Sequence, residues 1–465
     1  MSPRLALVAS LLFILWLFAR EVKRGAKFSK GLWIPVVWVT IIGSKPLSLW
    51  ISGQSQGSSG DSSMLDRLVL IVLLFCALTV LAKRQISWAA LIASNRWVFV
   101  YFGYAGLSIL WSDAPVASAI FWAKDVANIV MVAVVLTEDN PGEAVKTVLL
   151  RCAFLLIPIS VLLTKYFPAI GRGYNQWTYQ PIILGVTNDK NALGQTLFIC
   201  GIAICWGFLD LLKTAGRAKK DLVGFLVLAF MFLWLVFRAN CATALTCTGI
   251  GLGILLVMRN RKVREAFHHL NLGKILLVAG LIALVFVVID VRGLFVGVMG
   301  RDLTFTGRTD IWARCLKVDI NPFLGAGYCN FWWGDRALKV SEGFYYPLSE
   351  AHSGYIETYL NCGLIGLFLV GASFAAGAAK IKSQMYHQSS YQAARLAFLF
   401  GNAIYNITES AFNGLGLIWF VSLLVLLESP RPEGVLLESQ PDRADQDAES
   451  PVPLQASMLL AAPSI

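Results

Sequence analysis

Between Asp221 and Arg259 the chain reads LVGFLVLAFMFLWLVFRANCATALTCTGIGLGILLVM (residues 222–258), and a single charge, Arg238, interrupts it. A run of ~20 apolar residues crosses the hydrocarbon core of a bilayer. The stretch therefore reads as two membrane helices meeting at Arg238-Ala239-Asn240. Backbone N–H and C=O groups in lipid find no water, so a segment of this kind satisfies them internally as helix. Residues 68–82 carry no charge at all and read the same way. Across the 465 residues, 57% are hydrophobic and 14% charged, against roughly a quarter charged in a soluble protein. The expected fold is all-α, a polytopic transmembrane helical bundle.

Working outward, candidate spans fall near 5–19, 32–51, 67–82, 97–111, 115–137, 144–166, 193–212, 222–238, 240–258, 274–291, 354–379, 391–406 and 412–427, about 12–13 in all. The first lacks a small-residue cleavage site and is followed by Arg20, Lys23, Arg24, Lys27 and Lys30, so it reads as an uncleaved membrane helix. If the spans alternate, the basic segments 20–30, 83–96, 213–220, 259–274 and 380–395 share one side, which should be cytoplasmic. The other side receives 52–66, 112–114, 167–192, the turn at Arg238 and 292–352. This puts the N-terminus outside and the C-terminus inside. Five regions follow: N-terminal helices (1–97), central helices (98–291), a large extracytoplasmic loop with short helices (292–351), C-terminal helices (352–427) and a tail (428–465). The tail is rich in Pro, Ser, Asp and Glu and reads as disordered. Its Asp445-Gln446-Asp447 resembles a metal-binding DxD, which an acidic cytoplasmic tail produces by chance.

The net charge of +11 does not call for nucleic acid, because the basic residues cluster in inter-helix loops. Nine cysteines show no CxxC or zinc spacing, and most lie in apolar runs. Cys315 and Cys329 share the long loop and could pair in an oxidising space.

That loop is where chemistry is to be sought. Residues 292–351 contain Arg292, Arg301, Arg308, Arg314, Lys317, Arg336 and Lys339 beside Asp302, Asp310, Asp319, Asp335, Glu342 and Glu350. Any one arginine can be a solvated charge offset by these acids. As a group they oppose the orientation rule, which a loop of about 60 residues can escape. The guanidinium fork suits phosphate oxygens and stays charged. Arg238 lies at the outer interface, where a cation faces a cavity or partner, or snorkels to headgroups. His352 is the outer-facing histidine, able to take a proton near neutral pH or simply to hydrogen-bond at the interface. His268, His269 and His387 fall in cytoplasmic loops.

Taken in order, Gly307-Arg308-(x)3-Trp312, Asn321-Pro322-(x)2-Gly325-x-Gly327 and His352-(x)2-Tyr355-(x)4-Leu360-(x)2-Gly363-(x)2-Gly366 resemble the shared domain of the O-antigen ligase and O-antigen polymerase family, which includes exopolysaccharide polymerases. Residues 105–113 (AGLSILWSD) and 185–194 (GVTNDKNALG) are similar to its upstream segments, and the likeness covers roughly residues 98–427. The resemblance implies an inverting, metal-independent transfer without cofactor at the periplasmic face of the bacterial inner membrane. The donor would be an undecaprenyl-diphosphate-linked glycan, and the acceptor a glycan or a lipid A core. By motif position Arg308 would bind the diphosphate and His352 would activate or orient the acceptor. One departure stands out: where the family often has Ser-Arg before a Thr/Gly-Ala pair, this chain has Cys241-Ala242-Thr243-Ala244. The candidate to serve in its place is Arg238, one helical turn earlier. Arg301, Arg314 and Tyr355 and, more weakly, Lys190, Asn191 and Arg172 are further candidates for the same pocket.

The rival reading is a transporter or a flippase for a lipid-linked glycan. Its charges would line a path at the midplane or a central cavity. Here they collect in an outer loop, and the sequence shows no pair of broken helices in matching halves.

Overall fold

The computed structural model describes residues 2–24, 28–52, 63–175, 179–213, 219–270, 308–344, 347–386 and 389–429. The expected span 274–291, Arg301 and nearly all of the expected tail lie outside these residues. In chain order the first helices are α1 (Pro3–Lys23), α2 (Trp33–Ile42), α3 (Leu47–Ser52), α4 (Met64–Ala82), α5 (Trp88–Ser94) and α6 (Arg96–Leu107). There follow α7 (Pro115–Leu136), α8 (Pro141–Tyr166), α9 (Pro168–Gly171), α10 (Lys190–Leu211), α11 (Lys219–Ala239), α12 (Ala242–Val257) and α13 (Arg261–His269). The last are α14 (Arg308–Cys315), α15 (Asp335–Ser341), α16 (Gly354–Ser383), α17 (Ser389–Thr408) and α18 (Leu417–Leu426). One antiparallel hairpin, β1 (Arg172–Tyr174) with β2 (Pro181–Ile183), sits between α9 and α10.

The residues that close the apolar runs also cap the helices. Ser63 and Asp66 form a capping box on α4. Asn140 and Asp189 accept from the first turns of α8 and α10.

Every expected span within the described residues coincides with helix, yet fewer helices than expected are long enough to cross. Among the described residues seven are long and apolar enough (α1, α4, α7, α8, α10, α11, α16), or eight if α12 and α13, bent by 102°, count as one span. The shortfall has local causes. The expected span 32–51 breaks into α2 and α3 at Gly43-Ser44-Lys45-Pro46, where glycine and proline interrupt the ladder. The expected span 412–427 shortens to α18, ten residues that are all buried. Ten residues rise about 15 Å, half the hydrocarbon thickness. α18 is therefore an interior half-helix, and Arg395 (2% exposed) closes its end with Nη2 2.8 Å from the Val425 carbonyl. A cation there complements the helix dipole. α17 carries that arginine together with Gln392, Asn402 and Asn406, all buried, so its polar face turns inward. α10, α11, α12 and α17 approach closely: a Cβ on Gly251 would lie 2.5 Å from Ile202 and one on Gly401 2.5 Å from Phe198. Small residues let membrane helices pack in this way.

The loops sort to two ends. At one end Arg20 and Arg24 meet Asp221 (2.6 and 3.3 Å), Arg151 meets Glu21 (2.9 Å), Lys146 meets Asp210 (3.0 Å) and Lys380 meets Asn95 (2.6 Å). Arg84 binds Glu138 there as well. The basic segments 20–30, 83–96 and 380–395 thus share an end, as the alternation of spans requires.

At the opposite end α14 and α15 fold over a small core of Ile311, Cys315, Phe331, Val340, Ala351 and Leu360. The segment 321–327 plugs a break in α16, where Gly363 leaves the helix at φ +65°. The amides of Ala326 and Gly327 donate to the carbonyls of Leu360 and Asn361 (2.9 Å each), and the Leu364 amide donates to Pro322 O (2.9 Å). Tyr104 Oη donates to the Cys362 carbonyl at 3.0 Å. Backbone groups released by the break are thereby satisfied from outside the helix.

Candidate functional site

Five segments converge at this second end: 187–194, 240–243, Arg308, 350–354 and 405–410. His352 occupies the tight turn before α16 with φ +51°, a left-handed conformation uncommon outside glycine. Its neighbours hold it there through backbone atoms. Trp312 Nε1 donates to Ala351 O (2.8 Å), Ala351 N to Glu357 Oε2 (3.0 Å), Ser353 N to Ser410 Oγ (3.0 Å) and Gly354 N to Glu409 O (2.9 Å). Glu357 is a buried acid in the first turn of α16 that also accepts from Trp332 Nε1 (2.8 Å) and Asn361 Nδ2 (3.0 Å).

The imidazole is half-buried, with Nδ1 2.8 Å from Glu350 Oε1. Nδ1 has no hydrogen-bond partner among the described residues, so the pair is a charge contact. Burial lowers the pKa of His352, but Glu350, with help from Glu409, more than offsets it and raises the value above the ordinary 6.5.

Arg308 opens α14. Its guanidinium donates to the Thr408 carbonyl and lies 2.8 Å from Glu409 Oε1, in a pair 15% and 7% exposed. Burial raises the Glu409 carboxyl above its ordinary value and the charge of Arg308 opposes that. Asp189, the cap of α10, opens to solvent at the same place. Crowding by protein raises its carboxyl, with the charge of Glu350 adding to the effect and that of His352 opposing it. Cys241 Sγ meets the Lys190 carbonyl at 3.5 Å, and Thr243 Oγ1 lies 3.3 Å from Thr408 Oγ1. The 240–243 turn therefore packs between the start of α10 and the end of α17.

The structure brings Arg308, His352 and the first turn of α10 (Lys190, Asn191) to one place. Arg238 is exposed on the last turn of α11, two residues before Asn240. Arg314 is engaged elsewhere, on the Glu342 carbonyl and 4.9 Å over the Phe344 ring. The Tyr355 hydroxyl donates to Ala403 O (2.8 Å) and its ring packs edge-on to Phe412, a structural use. Arg172 Nε donates to the Thr164 carbonyl at 2.9 Å. Cys315 and Cys329, for which the sequence left pairing open, are free thiols: Cys315 belongs to the core under α14, whereas Cys329 packs beside Tyr328 and Cys362.

Sequence reasoning passed over Glu409 and Glu357. Each left a trace, since Glu409 falls in the short polar gap between the spans 391–406 and 412–427, and Glu357 is a lone acid in an apolar run. Among the described residues no three His, Cys, Asp or Glu side chains gather as metal ligands.

Comparison with known proteins gives two findings. Residues 222–371 match a family model described as O-antigen ligase. The chain is also similar to the exopolysaccharide production protein ExoQ of Rhizobium meliloti (strain 1021), 23% identical over 290 residues. That similarity covers 60% of this chain and 63% of the relative's length. The family match runs from α11 through Arg308 and His352 into α16.

Proposed function

We propose that this multi-pass membrane protein, whose matches support the O-antigen ligase and polymerase family, joins glycans at the periplasmic face of the bacterial inner membrane. The donor in this reading is a glycan carried on undecaprenyl diphosphate. The acceptor is a hydroxyl of a second glycan or of a lipid A core, and the likeness to an exopolysaccharide production protein favours the glycan. The observation that carries the reading is that Arg308 and the His352 turn converge on segment 408–410, Arg308 on Thr408 O and Glu409, and the turn on Glu409 O and Ser410 Oγ.

Glu350 faces Nδ1, which leaves Nε2 to take the proton of the acceptor hydroxyl. The acceptor oxygen bonds to the anomeric carbon as the carbon–oxygen bond to the diphosphate breaks. Direct displacement inverts the anomeric centre. The leaving diphosphate carries away the electron pair, and the fixed guanidinium of Arg308 stabilises the growing charge. Arg238 and Lys190 supply further cations for the second phosphate, and Asn191 further hydrogen bonds. No metal or cofactor is needed to take up that charge in this scheme, so joining should persist in a chelator.

The test is reconstitution in bilayers with a synthetic polyprenyl-diphosphate oligosaccharide. Formation of a longer glycan supports the proposal; movement of the lipid across the bilayer without bond formation would favour a flippase.

A pH profile examines the base. His352 must be neutral to accept a proton, so the rate should rise with pH through a value above 6.5, as the raised pKa requires. Glu350→Gln removes the larger upward contribution, leaving burial and Arg308 acting downward against Glu409 alone. The rising limb should therefore move to lower pH, and an unmoved or upward-moved limb would rule out His352 as the group that titrates.

A further inference from the structure

Near the start of α15 lies a cavity of about 420 Å³, lined by Asp113, Ala114, Trp333, Gly334, Asp335 and Arg336. It joins two segments, 112–114 and the long loop, that the charge pattern assigns to the outer side. Trp333 is 47% exposed at its edge. Arg336 binds Asp113 through Nη2, while its Nε is enclosed and has no hydrogen-bond partner among the described residues. Asp113 keeps most of its carboxylate open, and Asp335 is exposed.

We infer that this cavity is a carbohydrate subsite that holds a neutral or amino sugar of the acceptor glycan. A pyranose has a flat face of C–H groups and a rim of hydroxyls that both donate and accept. The indole of Trp333 offers a rigid apolar wall to the first. The carboxylates of Asp113 and Asp335 accept from the second, and the guanidinium of Arg336 donates to it. Two carboxylates against one guanidinium disfavour an acidic sugar.

A chain of hydrogen bonds ties the subsite to the His352 turn. Arg336 reaches the Asn330 carbonyl (3.4 Å), and Asn330 N donates to Asn361 Oδ1 (2.9 Å). Asn361 Nδ2 then donates to Glu357 Oε1 (3.0 Å), whose other oxygen receives Ala351 N at 3.0 Å, next to His352. A sugar seated on Trp333 is thus placed relative to the group that takes the acceptor proton. The inference rests on the transfer reading for its biological sense but not for its test.

The test uses the full chain in lipid nanodiscs. The probe is the free oligosaccharide released by mild acid from the lipid-linked glycans of cells expressing the chain. Saturation-transfer NMR reads its binding, and joining is measured in the same preparation. Trp333→Ala should weaken binding about tenfold, whereas Trp333→Phe, which keeps a ring, should stay within about threefold of wild type. In joining assays Trp333→Ala should raise KM for the acceptor and leave kcat and the KM for the donor unchanged. Absence of probe binding to the wild type, or equal binding by Trp333→Ala, would overturn the subsite. The two readings fail separately. Trp333-dependent binding without joining leaves the subsite standing and defeats transfer; joining without such binding does the reverse.

Discussion

His352→Ala is expected to abolish glycan joining and to leave the chain folded in the membrane. The turn that carries His352 is held through the backbone of Ala351, Ser353 and Gly354, so truncating the imidazole removes none of those bonds. What goes is the proposed proton acceptor, and removing such a group typically costs about 10²–10⁴-fold in rate. Arg308 needs a different design. Arg308→Ala would leave Glu409 buried without its partner, at a cost to stability of about 3–5 kcal/mol. The double variant Arg308→Ala with Glu409→Gln removes both charges and separates chemistry from folding. It too is expected to lose joining, because the fixed guanidinium proposed to stabilise the leaving group is gone. Single-turnover transfer with thermal melting as the folding control measures both. A variant joining at the wild-type rate would remove its residue from the mechanism.

Gly363→Val should have the largest effect on the fold. At φ +65° a Cβ on Gly363 would stand 2.1 Å from the Phe323 carbonyl oxygen, well inside contact distance, in a backbone conformation that β-branched residues avoid. The segment that would have to move supplies the hydrogen bonds bridging the break in α16. We expect destabilisation of roughly 3 kcal/mol or more, visible as loss of the monodisperse peak in detergent gel filtration and a lower melting temperature. Gly371, on the same helix, has nothing within 4 Å of its added Cβ. Gly371→Ala should therefore be neutral or slightly stabilising, and equal effects at the two positions would contradict the bridging role of 321–327.

These cases separate what was legible from what was not. The runs at 68–82 and 222–258 announce helices because lipid leaves the backbone no other partner. The basic loops sort the ends because charge near a membrane is read locally. The ordered motif from Arg308 to His352 names residues that the structure gathers at one end of the molecule. The uses of its parts were not legible. The Asn321-Pro322 to Gly327 segment looks like part of a site, yet its visible work is to complete a broken helix. Arg314 and Arg308 look alike in sequence, but one ties down Glu342 and the other meets Glu409.

By itself the sequence determined a helical membrane bundle and the sorting of its loops to two ends. Both follow from hydropathy and charge over short stretches. Only the tertiary structure decided that Arg308 lies against Glu409, 101 residues away, that α18 is an interior half-helix closed by Arg395, and that His352 sits in a strained turn held by Glu357. Those pairings depend on how helices pack and where buried polar groups find partners. That information is spread across distant segments and has no period that a local reading could detect.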